Sequence, residues 1–320
     1  MSKQNLPLVS IAIITYNSAK FIAKAMDSAL AQDYPNIEII VSDDASTDAT
    51  PKIIQTYIDL YPDKIKLLTL SQNVGITKNW FNCVAYCKGK YITGLAGDDI
   101  MLSNKVSTQV SVMESDPNIA ICYSDAVVVN AATQKILYRL SDKAPSKSGG
   151  IKTALSDSIY YSPTLMFRRE FLPLQNIYLD IRHATDLAFH KEVMILSAPN
   201  GKIQYLPQVL YIYNKHQYNL TVITKSYYKE HIEAIKTLQK RYPQYKRDLD
   251  PSIADFCCVA LFKTLRELNL RQTGYFLSVG LKASKGNPLK FLRPTIWALQ
   301  FYYKFKKRQL NGQEITQVEL

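Results

Sequence analysis

The stretch LVSIAII, from Leu8 to Ile14, is almost unbroken in apolar, β-favouring residues, which predicts a strand buried on both faces. Phe21, Ile22, Ala25, Met26, Ala29 and Leu30 then recur at helical spacing. IEIIVSDD reads as a second buried strand. ATPKIIQTYIDLY reads as a helix whose Pro51 falls in the first turn, where a missing N–H costs nothing. KIKLLTL predicts a third strand, Ile76 to Cys87 a third helix, KYITGLA a fourth strand and SNKVSTQVSVMES a fourth helix. NIAICYSDAVVV holds one or two further strands. Four strand–helix alternations at these lengths predict an open, mostly parallel α/β sheet, whose ligands bind beyond the carboxyl ends of its strands.

The alternation fades after about residue 130. SDKAPSKSGG, Ser141 to Gly150, has loop composition, and short strands return at KIQYLP and VLYIYN. From Lys225 the pattern is helical, in KEHIEAIKTLQKRY, SIADFCCVALFKTLREL and PTIWALQFYYKFKK. The expected organisation is an α/β domain over residues 1–222 and a helical, basic C-terminal region over 223–320.

Composition adds a charge asymmetry. The 320 residues are 47% hydrophobic and carry a formal net charge of +12, so the chain is globular and basic. Eighteen Lys/Arg against eight Asp/Glu lie from Lys225 onward, so that region holds most of the charge. An anionic membrane surface is the expected partner. Nucleic acid is not, because the aromatic and glycine pattern of RNA-binding modules is missing. In the last helical stretch Ile296, Leu299 and Tyr303 share a stripe flanked by Arg293, Trp297, Lys304 and Lys307, a composition suited to the lipid interface. Packing of that stripe on the α/β domain is the alternative. The five cysteines are odd in number, lack CxxC spacing and sit in apolar patterns, as buried thiols in a reducing compartment do. With no signal-peptide layout and no run of about 18 apolar residues, the expected location is cytoplasmic and peripheral on the inner face of the cell membrane.

Three polar clusters end predicted strands: TYN (Thr15, Tyr16, Asn17), SDDAST (Asp43, Asp44) and GDD (Gly97, Asp98, Asp99). Neighbouring side chains in a strand face opposite ways, so Asp98 and Asp99 require the strand to stop. Any one of these acids could be a helix cap. Three clusters on one sheet edge describe a polar pocket able to bind a hard cation.

These motifs, in this order and at these separations, resemble the inverting glycosyltransferases of family 2, with the fold called GT-A, of the kind that build bacterial polysaccharides. The resemblance covers roughly residues 7–221, with a C-terminal helical extension beyond it. It implies a nucleotide-sugar donor, UDP-sugar by default, and Mn²⁺ or Mg²⁺ to neutralise the departing diphosphate. By similarity, Thr15 and Tyr16 line the nucleoside pocket with Asn17 and Asp44 beside them, and Asp43 accepts a hydrogen bond from the base. NVGITKNW places Asn73, Gly75 and Lys78 toward the donor phosphates. Asp98, after Gly97, takes the metal-binding role, with Asp99 supporting it or capping. Where many relatives carry a further acid, this chain has Ala96, which removes one ligand or ribose contact.

The same resemblance implies that Asp186, after Thr185, is the general base, although it could equally cap the following helix. His216, spaced from Asn219 and Thr221 as in relatives, is implied as a second ligand to the metal or diphosphate. Arg168 and Arg169 are implied on the acceptor side, a solvated charge pair being the alternative; His183 and His190 read as structural or acceptor-side, and Glu192 as structural. The implied function is transfer of one sugar to a growing surface or capsular polysaccharide or lipid-linked oligosaccharide. A catalytically impaired partner subunit of a glycan-synthesis complex is the alternative that Ala96 keeps open.

Overall fold

The computed structural model describes residues 6–296, apart from 144–145, 157–161, 174, 176–177, 179, 185, 218, 220–225 and 293–294. Its strands are β1 (Val9–Thr15), β2 (Ile37–Asp43), β3 (Ile65–Thr69), β4 (Tyr91–Ala96), β5 (Ile100–Met101), β6 (Ile119–Asn130), β7 (Ile136–Arg139), β8 (Gly149–Gly150), β9 (Met166–Arg168) and β10 (Lys202–Lys215). The helices are α1 (Ile22–Leu30), α2 (Thr50–Leu60), α3 (Ile76–Tyr86), α4 (Lys105–Ser115), α5 (Leu140–Lys143), α6 (Ile151–Ser156), α7 (Asp186–Leu196), α8 (Tyr227–Arg241), α9 (Lys246–Arg266), α10 (Leu270–Ala283) and α11 (Pro288–Phe291).

The strands form one sheet in the order β3-β2-β1-β4-β9-β6-β10-β5, with β7 on β6 and β8 on β10. β1 is parallel to β2 and β4, and β10 is parallel to β6. β9 runs antiparallel between β4 and β6. The chain leaves β1 toward β2 and β3, then returns on the other side as β4. That reversal opens a crevice at the carboxyl ends of β1 and β4. Because Ile14 pairs with Ala96, the residues after each strand emerge side by side.

Alternate residues of the central strands feed two cores. Val9, Ile11, Ile13, Ile39 and Val41 pack with α1, α2 and α4 on one face. Ala12, Ile40 and Ile92 pack with α3 and α7 on the other. A third core joins α7 to the C-terminal helices, through Leu187, Ile195, Ile232, Ile235, Leu238, Leu249 and Cys257. Each fully buried aliphatic side chain of this kind contributes about 1.5–3 kcal/mol. All five cysteines are buried free thiols.

Two elements differ from the sequence expectation. KIQYLP and VLYIYN are one strand, β10, whose register with β6 shifts between Leu206 and Val209. Pro207 lies in that interval; it cannot donate to the ladder, and a bulge accommodates it. α10 has no counterpart in the sequence reading, because Gly274 and Gly280 weaken its helical signal. Gly280 is there for packing: a Cβ would stand 2.2 Å from Phe291 Cε2 and 2.8 Å from Cys257 Cβ. The stretch read as a last helix, 294–307, lies outside the described residues apart from Thr295 and Ile296. Arg293, Trp297, Leu299, Tyr303, Lys304 and Lys307 fall outside them. Among the described residues no helix is long and apolar enough to cross a membrane.

Candidate active site

The loops after β1 and β2 are stitched together. Asn17 adopts a left-handed backbone (φ 51°), which asparagine tolerates better than most residues. Its N–H donates to Ser46 Oγ (2.8 Å), while its Oδ1 accepts the Thr47 N–H (2.8 Å). Asp43 is buried and accepts from both the N–H and the hydroxyl of Ser46. Burial pushes its carboxyl up, and the Ser46 hydrogen bonds oppose that. The Thr15 hydroxyl is buried and makes no hydrogen bond among the described residues, whereas the Tyr16 ring is exposed at the crevice rim.

Asp44 is committed to shaping the neighbouring loop. Its two oxygens accept the N–H groups of Val74 (2.7 Å) and Gly75 (2.9 Å). Gly75 caps α3 with φ 86°, and a Cβ there would stand 2.4 Å from Arg182 Cγ. Arg182 donates to the Asn73 side chain, so Asn73 is held by protein, while Lys78 is exposed on the first turn of α3. Replacing Asp44 with alanine leaves two N–H groups unpaired and should cost roughly 2–4 kcal/mol of stability by chemical denaturation.

The end of β4 gathers the densest polar cluster. Gly97 allows a close approach: a Cβ would stand 2.5 Å from Thr15 Oγ1. Asp98 Oδ2 lies 2.9 Å from His216 Nε2, although the residues are 118 apart in sequence. Asn214 Nδ2 donates to the Asp98 carbonyl (2.7 Å), and Asn219 Oδ1 accepts the His216 N–H (2.7 Å). The His216 ring stacks on Phe21 with centroids 4.8 Å apart. Asp99 points inward, accepting from the Asn214 N–H (2.8 Å) and the Tyr211 hydroxyl (3.0 Å). Burial, reinforced by the Asp98 charge, pushes the Asp99 carboxyl well up. Asp99 thereby ties β10 to the end of β4 and delivers His216. Ala96 contributes backbone groups: its carbonyl accepts the Asp99 N–H (3.0 Å) and its N–H lies 3.4 Å from the Tyr211 hydroxyl.

Asp186 opens α7 with its side chain half-exposed. Its Oδ2 accepts the Ser162 hydroxyl (2.6 Å), and its Oδ1 faces His231 Nε2 at 3.5 Å. The surrounding protein pushes this carboxyl up although its side chain reaches solvent, but His231, His190 and the Ser162 hydroxyl outweigh that and hold it below the usual carboxylate range. Ser162 precedes β9 on the side of the sheet where β4 ends. There a buried lysine anchors the segment: Lys105 Nζ donates to Thr93 Oγ1 and Gln109 Oε1, and Gln109 Nε2 donates to the Thr164 carbonyl (2.8 Å). His183 is held by Glu230, which accepts its N–H (2.8 Å). Thr185 and Thr221 lie outside the described residues.

The arginine pair corrects the sequence expectation. β9 pairs antiparallel with β4, so Arg168 stands opposite Tyr91 at the end of β4 remote from Asp98. Arg168 is buried there, donating to the carbonyls of Ile119 (3.1 Å) and Met113 (2.7 Å) and to the Tyr91 hydroxyl (3.1 Å). Arg169, at the same edge, donates to the Cys87 carbonyl (3.3 Å). Neither reaches the crevice. Sequence reasoning also missed Asn214, Tyr211, Ser162 and His231. Of these, His231 carried a local signal, since it falls with Ile235 and Leu238 on the apolar stripe of α8.

Comparison with known proteins gives the family and the fold. The family model described as Glycosyl transferase family 2 matches residues 10–173. The UDP-Glc:alpha-D-GlcNAc-diphosphoundecaprenol beta-1,3-glucosyltransferase WfgD of Escherichia coli is 32% identical over 181 residues, covering 54% of this chain and 68% of WfgD. The chain spans 60% of the length of the mycobacterial relatives it matches. In fold it is similar to S. aureus TarS 1–349 in complex with UDP-GlcNAc, with a TM-score of 0.62, 15% identity and coverage of 97% and 93%. It is also similar to the mannosyltransferase PcManGT from Pyrobaculum calidifontis in complex with GDP-Man and Mn²⁺, with a TM-score of 0.53, 16% identity and coverage of 98% and 90%. The sheet is that of a GT-A fold with helices added at the C-terminal end. On its sequence match and its sheet, the chain is a member of glycosyl transferase family 2.

Proposed function

We propose that the chain is an inverting, metal-dependent glycosyltransferase. It moves one sugar from a nucleotide-diphosphate donor, a UDP-sugar, to a growing surface polysaccharide or lipid-linked oligosaccharide. The observation that carries the reading is the meeting of Asp98 and His216 at the mouth of the β1–β4 crevice, 2.9 Å apart. The Asp186 carboxylate, held ionised, supplies the base. WfgD, a UDP-Glc glucosyltransferase, and TarS, seen in complex with UDP-GlcNAc, support the donor class, and PcManGT, seen with Mn²⁺, supports the cation.

The donor set at Asp98 and His216 suits a divalent cation bound together with its nucleotide. One carboxylate oxygen and one imidazole nitrogen converge, and among the described residues no three potential ligands cluster. Asp98 and His216 would hold such a cation, leaving diphosphate and water to supply its remaining oxygen ligands. When bound, it neutralises charge on the departing diphosphate. Asp186 accepts the proton of the attacking hydroxyl as that oxygen displaces the nucleoside diphosphate from the opposite face, which inverts the anomeric centre. Tyr16 and Asp43 bind the nucleoside. Calorimetry tests this reading: Mn²⁺ should bind weakly alone and at least tenfold more tightly with UDP, and UDP should gain equally from Mn²⁺. Equal Mn²⁺ affinity with and without UDP would count against it.

The lipid-facing part of the proposal rests on the C-terminal helices. Leu268 is 84% exposed, Leu270 78% and Leu289 73%. The segment 268–292 that carries them contains Arg271, Lys282, Lys285 and Lys290 and no acid. Apolar tips on a segment of cationic sequence fit an anionic bilayer. The protein should float with phosphatidylglycerol vesicles and not with phosphatidylcholine vesicles. The triple change Leu268→Glu, Leu270→Glu, Leu289→Glu should abolish flotation with the fold intact.

A further inference from the structure

The C-terminal helices also reach the proposed base. His231 lies on α8, is 2% exposed and turns Nε2 to within 3.5 Å of Asp186 Oδ1. Its ring is packed flat against Phe256 (centroids 4.5 Å, 23°) and edge-on to Tyr227 (4.5 Å, 83°). Neither ring nitrogen makes a hydrogen bond among the described residues. An imidazole this buried ordinarily has both nitrogens engaged. Here the ring is fixed by aromatic contacts from two directions, and its polar edge is left facing one carboxylate.

We propose that His231 is a positioning residue for Asp186. It holds Oδ1 on one side while Ser162 holds Oδ2 on the other, so that the helical C-terminal region completes the active site. This inference rests on the reading of Asp186 as the base. With Oδ2 on the Ser162 hydroxyl and Oδ1 beside His231, rotation of the carboxylate is restricted, and a lone pair remains for the incoming proton. A base confined to one orientation loses less on reaching the transition state. As Asp186 gives up its negative charge to the acceptor's proton, the 3.5 Å contact can relax without breaking a full hydrogen bond.

Among the described residues, the charged and titratable groups around the pair come from α7 and α8, with Tyr213 of β10 near Tyr227. α7 brings His190, one turn beyond Asp186, and Lys191, whose Nζ donates to the Ala154 (3.0 Å) and Leu155 (2.8 Å) carbonyls. α8 brings Glu230, engaged with His183, and Tyr227. Burial lowers the tendency of His231 to protonate, and Asp186 followed by Glu230 opposes that. Removing the Asp186 charge should therefore make His231 harder to protonate still. Removing the His231 nitrogens should make Asp186 easier to protonate.

Two measurements on the full-length protein test the proposal. The first is UDP release from UDP-glucose with Mn²⁺, across pH, for the wild type and for His231→Phe, His231→Gln and Asp186→Asn. His231→Phe keeps the ring packing and should lower kcat about ten- to a hundredfold with KM for UDP-glucose unchanged. It should also move the acidic limb of the profile to higher pH, and His231→Gln, which retains a donor, should recover part of kcat. The second does not depend on turnover: the ring ¹⁵N signals of His231 are titrated in the wild type and in Asp186→Asn, where the midpoint should fall. If Asp186→Asn retains kcat, the base assignment fails whatever His231 does. If Asp186→Asn is inactive but His231→Phe keeps both kcat and the pH profile, the positioning role is wrong and the base stands. A His231 titration indifferent to Asp186→Asn also overturns the proposal.

Discussion

Asp186→Asn should abolish sugar transfer while leaving the nucleotide affinity of the protein unchanged. Asparagine keeps the side-chain shape and can still accept from Ser162, but it cannot take a proton. The expected loss in kcat is on the order of 10²–10⁴, the usual contribution of a positioned general base. KM for the donor should stay within about twofold, because the proposed role of Asp186 is on the acceptor side of the bond. The pH dependence has a definite sign. His231, His190 and Ser162 hold the carboxyl below its ordinary range against the opposing effect of the surrounding protein, so the base is ionised throughout neutral pH. Activity should persist into mildly acidic conditions and fall only as pH drops through that lowered value. An asparagine variant with wild-type kcat would remove Asp186 from the mechanism.

Asp98→Ala should remove the cation and the donor together. The carboxylate converges there with His216 and the Asn219 amide, and its loss removes the 2.9 Å contact to His216. Stabilisation of the departing diphosphate is worth several kcal/mol, so turnover should fall on the order of 10³. Unlike Asp186→Asn, this change should also weaken UDP binding in the presence of Mn²⁺ and make the remaining affinity insensitive to Mn²⁺. The fold should survive, since the strut between β4 and β10 is made by the Asp99 carboxylate and by the Asp98 carbonyl, which alanine keeps. Thermal unfolding close to that of the wild type, with the Mn²⁺ response lost, is the expected pair of results.

The contrast between these neighbouring acids was only half legible in the sequence. The adjacency of Asp98 and Asp99 required the strand to end, and the fold places one carboxylate outward toward His216 and the other inward on Tyr211 and Asn214. Which acid faces which way depends on β10, more than 100 residues later, and local spacing carries no information about that pairing. The βαβ alternation to about residue 130 was readable because strands buried on both faces are apolar throughout. Arg168 was not, because its position depends on β9 running antiparallel between two parallel neighbours. A three-residue strand has too few positions to show a period. Ser162 opens a stretch that the resemblance places by the acceptor, but its contact with Asp186 is set by tertiary structure alone. α10 was hidden by two glycines, one of which serves close packing against Phe291.

The most direct test of the account is UDP release from a UDP-sugar by the purified protein, with Mn²⁺ and with EDTA. It should compare the wild type, Asp98→Ala and Asp186→Ala under identical conditions. The account predicts release that requires Mn²⁺ in the wild type and falls at least a hundredfold in both variants, with UDP binding retained only by Asp186→Ala. Release that proceeds in EDTA, or that survives both substitutions, would contradict it.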